Sequence, residues 1–260
     1  MKSLGLSFSA IYYIVYDTFA DFFYNIKYKY NRKKKRSRNL QLFKKYCRNL
    51  PRNLPESIFV KVGANDGLTL DPCSDILLAN TKWKGLLIEP QSYFIDKLKE
   101  TFNDVDRFTI EQVAISSMEG KEKFYYLDHK VNESIQDLKP WVFMVASFNK
   151  NHLLKLLDES LQPFIRDCTV ETNTLTNILK RNNLDNFNLL HIDTEGHDLV
   201  VLKSLDLSVC SPTLIYIEYN HLSDSDNTEL LNLLNNYEYT VYDCGIDYFA
   251  VNKKKYMRLL

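Results

Sequence analysis

One junction constrains the chain most: the apolar run Ile58-Phe59-Val60-Lys61-Val62 stops abruptly in the small, glycine-bounded turn Gly63-Ala64-Asn65-Asp66-Gly67. A short β-branched and aromatic run predicts a buried strand, and the next periodic stretch, Ser74 to Ala79, predicts a helix. Glycines at such a turn permit positive φ and let another molecule approach the backbone, while the free N–H groups of a helix N-terminus attract an anion. The same spacing also serves as a plain strand-to-helix connection, so the rest of the chain must decide between a binding turn and a link.

The alternation continues downstream. Gly85 to Ile88 reads as a second buried strand ending in Glu89-Pro90-Gln91, and Ser92 to Phe102 has helical spacing. Phe108 to Ile115 and Lys123 to Leu127 read as strands, and 128–168 as an irregular insertion or lid with one short helix near His152 to Leu157. Then come a helix at Thr174 to Arg181, a strand at Asn188 to Ile192, a helix at Asp198 to Leu205, a strand at Leu214 to Ile217 and a helix at Asn227 to Leu234. Tyr239 to Tyr242 and Tyr248 to Val251 close the chain as a hairpin. This order predicts an α/β fold: a mainly parallel sheet with an antiparallel C-terminal hairpin and helices on both faces.

A length of 260 residues, 45% of them hydrophobic, suits one substantial core plus an appendage, divided here as 1–52 and 53–260. The formal net charge of zero hides a split, since residues 1–52 hold 13 Lys and Arg against two Asp, leaving the body acidic. An acidic body argues against nucleic acid as a partner, because phosphate needs the opposite sign. Five cysteines without a C-x-x-C pair suggest reduced thiols and a cytoplasmic setting rather than disulfides or a zinc site.

In the arm, Leu4 to Tyr16 is apolar, Phe19 to Tyr30 aromatic-rich and Arg32 to Arg38 basic. The apolar part is shorter than the about 20 residues of a spanning helix. No small-residue cleavage site follows it, so no cleaved signal is expected. The arm reads either as an amphipathic anchor peripheral to an anionic membrane face, or as a helical extension packed on the domain or on a second subunit of a homo-oligomer. Dominance of Tyr and Phe over Leu and Ile favours the packed extension.

In open α/β sheets ligands sit beyond the carboxyl ends of the strands. The residues there are the Gly63–Gly67 turn, Glu89, Gln112, then Asp193 with Glu195 and His197, then Glu218 with Asn220 and His221. Glu89 lies 22 residues after Gly67, where an acid accepts hydrogen bonds from two ribose hydroxyls in NAD and S-adenosylmethionine (SAM) sites. The turn lacks the close-set Gly-x-Gly-x-x-Gly of a dinucleotide site, and the closing hairpin is unlike a dinucleotide domain, so SAM is preferred over NAD.

Val-Gly-Ala-Asn-Asp-Gly, Leu-Ile-Glu-Pro, Ala-Ile-Ser with Gly120, Thr174-Leu175, His191-Ile-Asp-Thr-Glu-Gly-His-Asp198 with Val201-Leu-Lys203, and Glu218 to Leu222 occur in that order. Together they resemble the FkbM-type SAM-dependent methyltransferases over roughly residues 55–252, with Ile-Asp-Thr-Glu-Gly the most specific block. The resemblance implies a Rossmann-like class I methyltransferase fold with a seven-stranded sheet and O-methylation of sugar or polyketide-type hydroxyls. It places Gly63, Ala64, Asn65, Asp66 and Gly67 at the methionine end of SAM, Glu89 and Pro90 at the ribose, Gln112, Val113 and Ala114 at the adenine edge, and Asp193 beside the transferring methyl. One departure stands out: the fold often carries an acid two residues before the first glycine, where this chain has Lys61, which cannot accept a hydrogen bond.

Methyl transfer from a sulfonium needs an in-line acceptor oxygen and removal of its proton. Asp193, Glu218, His197 and His221 are the candidate catalytic residues, the histidines as bases. Asp193, Glu218 and Asn220 form an oxygen set suited to Mg2+. His191, inside a strand, reads as core, whereas His129 and His152 read as substrate contacts or surface. Trp141, Phe143 and Phe148 read either as a stacking wall for a small-molecule or glycan acceptor or as the underside of a helical cap. Two alternatives stay open: a non-catalytic binding or membrane-tethering module, kept alive by Lys61, and an NAD-dependent oxidoreductase.

Overall fold

A computed structural model describes residues 32–104, 106–135 and 137–259, so the apolar and aromatic stretches read at Leu4 to Tyr30 lie outside the described residues. The first described element is α1 (32–49). It continues through β1 (Ser57–Val62), α2 (Ser74–Ala79), β2 (Trp83–Ile88), α3 (Ser92–Thr101), β3 (Phe108–Glu111), β4 (Ala114–Ile115) and β5 (Gly120–Leu127). After these come β6 (Ala146–Ser147), α4 (Lys150–Leu156), β7 (Ile165–Asn173), α5 (Leu175–Arg181), β8 (Leu189–Ile192), α6 (Asp198–Lys203) and β9 (Leu214–Glu218). The chain ends in α7 (Asp224–Asn236), β10 (Thr240–Asp243), β11 (Asp247–Val251) and α8 (Lys253–Leu259).

The main sheet has seven strands in the order β10-β11-β9-β8-β1-β2-β3. Pairs among β9, β8, β1, β2 and β3 are parallel, and the β11–β9 and β10–β11 pairs are antiparallel. Strands buried on both faces alternate between two cores, which is why they read as continuous apolar runs. Val60, Val62, Leu86 and Ile88 join the core of α5, α6 and α7, whereas Phe59, Trp83 and Leu87 join the core of α2 and α3. Burying each such side chain contributes about 1.5–3 kcal/mol, and the two layers together hold β1 and β8 rigidly side by side.

Helix α1 completes the second core, so the described part of the arm is a helical extension packed on the domain. Phe43, Cys47 and Leu50 are buried there, with Phe43 stacked on Tyr216 at 4.3 Å. Arg36 pairs with Asp243 at 3.2 Å, and the Asn39 amide donates to the Asp243 carbonyl at 2.8 Å. Most of the basic run is exposed. Among the described residues no helix is long and apolar enough to cross a membrane.

Two readings need correction. The strand read at Phe108 to Ile115 is two strands in different sheets: β3 pairs with β2, and β4 pairs with β7. Residues 128–168 are not merely irregular, because they run into β7 of a second, four-stranded sheet with the order β4-β7-β5-β6. Strand β7 escapes a periodicity reading because Arg166, Asp167, Thr169 and Glu171 are all exposed and only Ile165, Val170 and Thr172 are buried. The insertion has a core of its own, with Leu127, Val131, Val142, Leu153 and Ile165 buried together.

Candidate functional site

The carboxyl ends of β1, β2 and β8 meet at the Gly63 turn. Asp193 N–H donates to the Val62 carbonyl at 3.0 Å, and the N–H groups of Gly63 and Ala64 both donate to the Ile88 carbonyl. Gly63 has φ +76°, and a Cβ there would lie 1.8 Å from the Asp193 carbonyl oxygen, so only glycine lets the two strand ends come this close. Asn65 (φ +49°) turns its N–H onto Glu89 Oε2 at 2.9 Å, and Gln91 N–H donates to Glu89 Oε1 at 2.9 Å. Asp66 is spent on the loop itself, accepting from Leu68 N–H and Thr69 N–H at 2.9 and 2.8 Å.

Two cavities open at this junction. The smaller is lined by Glu89, Pro90, Val113, Ala114 and His197 and is walled by Phe124 and Phe148 from the second sheet and insertion. The larger, of about 460 Å3, is lined by Lys61, Asp71, Trp141, Glu218 and Asp247, with Leu40 and Lys44 of α1. Gly63, Asn65, Met144, Asp193 and Glu195 line both.

Most of the residues singled out in the sequence therefore converge, and some do not. Ala64 lines the larger cavity only, Gln112 sits outside both with its amide 3.5 Å from the Pro90 carbonyl, and Gly67 abuts Phe102 and Leu98. Asn220 is exposed and lines neither cavity, its amide 3.5 Å from His221 Nε2. The oxygen set read for Mg2+ is thus divided among half-buried Asp193, buried Glu218 and an exposed amide. Asp71, Asp247, Met144, Phe124 and the α1 residues were not singled out. Asp71-Pro72-Cys73-Ser74 carried a faint signal as the turn before a helix, and the others come together only through tertiary packing.

Burial governs the electrostatics. It pushes the Glu89 carboxyl up to about 7 against two backbone hydrogen bonds that favour the anion. Burial, then Glu195, Asp198 and Asp247, hold Asp193 well above the usual carboxylate range, and burial with Asp193 does the same to Glu218. Burial lifts Asp247 to about 6, although the Tyr216 hydroxyl donates to it at 2.9 Å. Burial lowers His197, whose Nε2 has no hydrogen-bond partner and whose ring lies 4.8 Å from Phe148. His191 is core, as expected, and burial brings it down to about 4.

Lys61 has a different partner from any ligand in the smaller cavity. Its ammonium donates to Asp71 Oδ2, which also lies 3.5 Å from His191 Nδ1. Burial opposes ionisation of both, but the Lys61–Asp71 attraction wins: Asp71 is held well below the usual range and Lys61 is raised. The cation is thus neutralised within the fold.

A family model, the methyltransferase FkbM domain, matches residues 61–241. Among solved structures, methyltransferase FkbM from Methylobacillus flagellatus KT is similar at 16% identity with a TM-score of 0.46, over 76% of this chain and 44% of that one. The chain thus spans less than half of that protein's length. A chain of a fibrillarin/Nop5p complex is similar at 10% identity with a TM-score of 0.36, over 76% of this chain and 72% of that one. No curated protein matches.

Proposed function

The chain belongs to the FkbM methyltransferase family, and from that premise we propose that it transfers the methyl group of SAM to a hydroxyl of a sugar, glycan or other polyhydroxylated small molecule. The observation that carries this reading is the pair of cavities that meet at Asp193.

The residues lining the smaller cavity suit SAM. Each Glu89 oxygen accepts one backbone N–H, which leaves lone pairs for two ribose hydroxyls. Val113, Ala114 and Phe124 offer apolar walls to an adenine, and the Gly63–Asn65 backbone faces the junction where the methionine end would lie. Gln91 Oε1 is buried there without a partner, a polar atom that a ligand would satisfy. Bound there, SAM supplies a methyl group already activated on a sulfonium.

The larger cavity takes the acceptor. Trp141, partly exposed on its wall, suits the apolar face of a sugar ring. Asp193 and Glu218 receive the hydroxyl proton: both line this cavity, and Glu218 Oε2 is buried with no hydrogen-bond partner. Both carboxyls are raised, and a raised carboxyl, once ionised, is a stronger base than an exposed carboxylate. His197 faces the smaller cavity and His221 lines neither, so Asp193 and Glu218 take the role of base. The binding-module alternative rested on Lys61, and the Lys61–Asp71 pair removes its motive.

The test is transfer of labelled methyl from SAM by the full chain to a panel of monosaccharides and oligosaccharides. The reading predicts label in an alkali-stable methyl ether. Label found only in esters, amines or thiols would contradict it.

A further inference from the structure

Three chain segments bring metal-type donors together beside these cavities: His152 from α4 of the insertion, Glu195 from the loop after β8 and His221 from the loop after β9. Glu195 Oε2 lies 3.5 Å from His152 Nε2 and 3.2 Å from His221 Nε2, and all three donor atoms fall within 4.8 Å of one another. Donors around one tetrahedral ion with bonds of about 2.0–2.1 Å stand about 3.3 Å apart. The two Glu195 distances match that edge.

As a hydrogen bond the His152–Glu195 contact at 3.5 Å is long. His221 Nε2 also faces Glu218 Oε1 and the Asn220 amide at 3.5 Å each, so the cluster is a set of long approaches around two imidazoles where a hydrogen-bonded network closes to about 2.9 Å. Backbone conformation is committed to the arrangement. Glu195 takes φ +54°, a left-handed conformation costing a non-glycine residue about 1–3 kcal/mol. Gly196 follows at φ +95°, and a Cβ there would sit 3.4 Å from His221 Cβ. Asp193, Glu195, Asp198 and Glu218 crowd four carboxyl groups into one region, and Glu218 Oε2 is buried and unpartnered. A cation offsets both costs.

We propose that His152, Glu195 and His221 bind one divalent transition-metal ion of the zinc class, which clasps the insertion onto the loops after β8 and β9. Two imidazoles and one carboxylate suit zinc-type ions, whereas Mg2+ prefers all-oxygen sets, so this site differs from the Asp193, Glu218 and Asn220 set in residues and in ion. Three protein ligands leave a further position for water or an acceptor oxygen. The site stands whichever acceptor is methylated, and its readout is binding rather than turnover.

The full chain, stripped with a chelator, is titrated with Zn2+ by calorimetry and with Co2+ by visible absorption. One ion per chain is expected, with Co2+ ligand-field bands of a nitrogen–oxygen set and no displacement by excess Mg2+. His152→Gln and His221→Gln, each checked for fold by circular dichroism, weaken binding by at least the roughly 10–100-fold that loss of an outer-shell partner costs. His129→Gln, elsewhere in the insertion, leaves it unchanged. Zn2+ also slows amide exchange across residues 146–157 in the parent chain and not in His152→Gln. Failure of the parent chain to take up Zn2+, displacement by Mg2+, or uptake indifferent to both histidine substitutions, as expected of binding at Asp71, Cys73 and His191, overturns the proposal.

Discussion

The Lys61 ammonium donates a hydrogen bond to the Asp71 carboxylate beneath the Gly63 turn, with the two side chains only 5% and 2% exposed. Asp71 also accepts from Cys73 N–H at 2.7 Å, so the pair ties β1 to the start of α2. The lysine that stands where the fold often carries an acid is therefore a structural cation with its own buried counter-ion.

Removing one partner of a buried pair leaves an uncompensated charge. Lys61→Met is expected to lower stability by about 3–5 kcal/mol in urea unfolding. The pH dependence also changes sign. Asp71 is depressed in the fold, so in the parent chain its contribution is present above pH about 4 and is lost as pH falls. In Lys61→Met the buried carboxyl is raised instead, and its contribution is lost as pH rises.

Glu89 behaves in the opposite way in the free protein. Its carboxyl is raised to about 7 by burial, so the stability it contributes is full below the ordinary carboxylate range and is lost as pH climbs through about 7. Ribose hydroxyls donate best to the ionised form, so SAM binding tightens between pH 6 and 8, by less than about tenfold per unit. Glu89→Gln flattens the profile, compared by calorimetry, and weakens binding about 10–100-fold.

Glu218 lines the larger cavity and not the smaller. Glu218→Gln is expected to lower kcat by about 10²–10⁴-fold, the usual worth of a positioned proton acceptor, while the Kd for SAM stays put. A parallel loss of SAM affinity would place Glu218 in cofactor binding instead.

Trp141 provides the clearest aromatic surface of the larger cavity, about a third exposed at 37%. Trp141→Ala should raise the acceptor KM about tenfold, on the order of 1.5 kcal/mol of ring contact, with kcat little changed. Phe143, packed 5.3 Å from His129 within the insertion, should affect stability rather than KM.

The parallel strands were legible because burial on both faces writes them as unbroken apolar runs, and ligand residues follow such runs by topology. Glu89, Asp193 and Glu218 could therefore be placed from order alone. The second sheet was not legible, since β7 is apolar at few positions and β4 is two residues long, paired with residues 58 positions away. Nor could order reveal that α1 would wall the larger cavity, or that His152 would meet Glu195 and His221, because these contacts depend on how the insertion folds back.

The central claim, a SAM site at the Gly63–Glu89 junction, is tested most directly by calorimetric titration of the full chain with SAM. One saturable site per chain, lost in Glu89→Ala and unmoved by millimolar NAD, is the predicted result. Absence of binding at millimolar SAM, or binding that Glu89→Ala leaves intact, would contradict it.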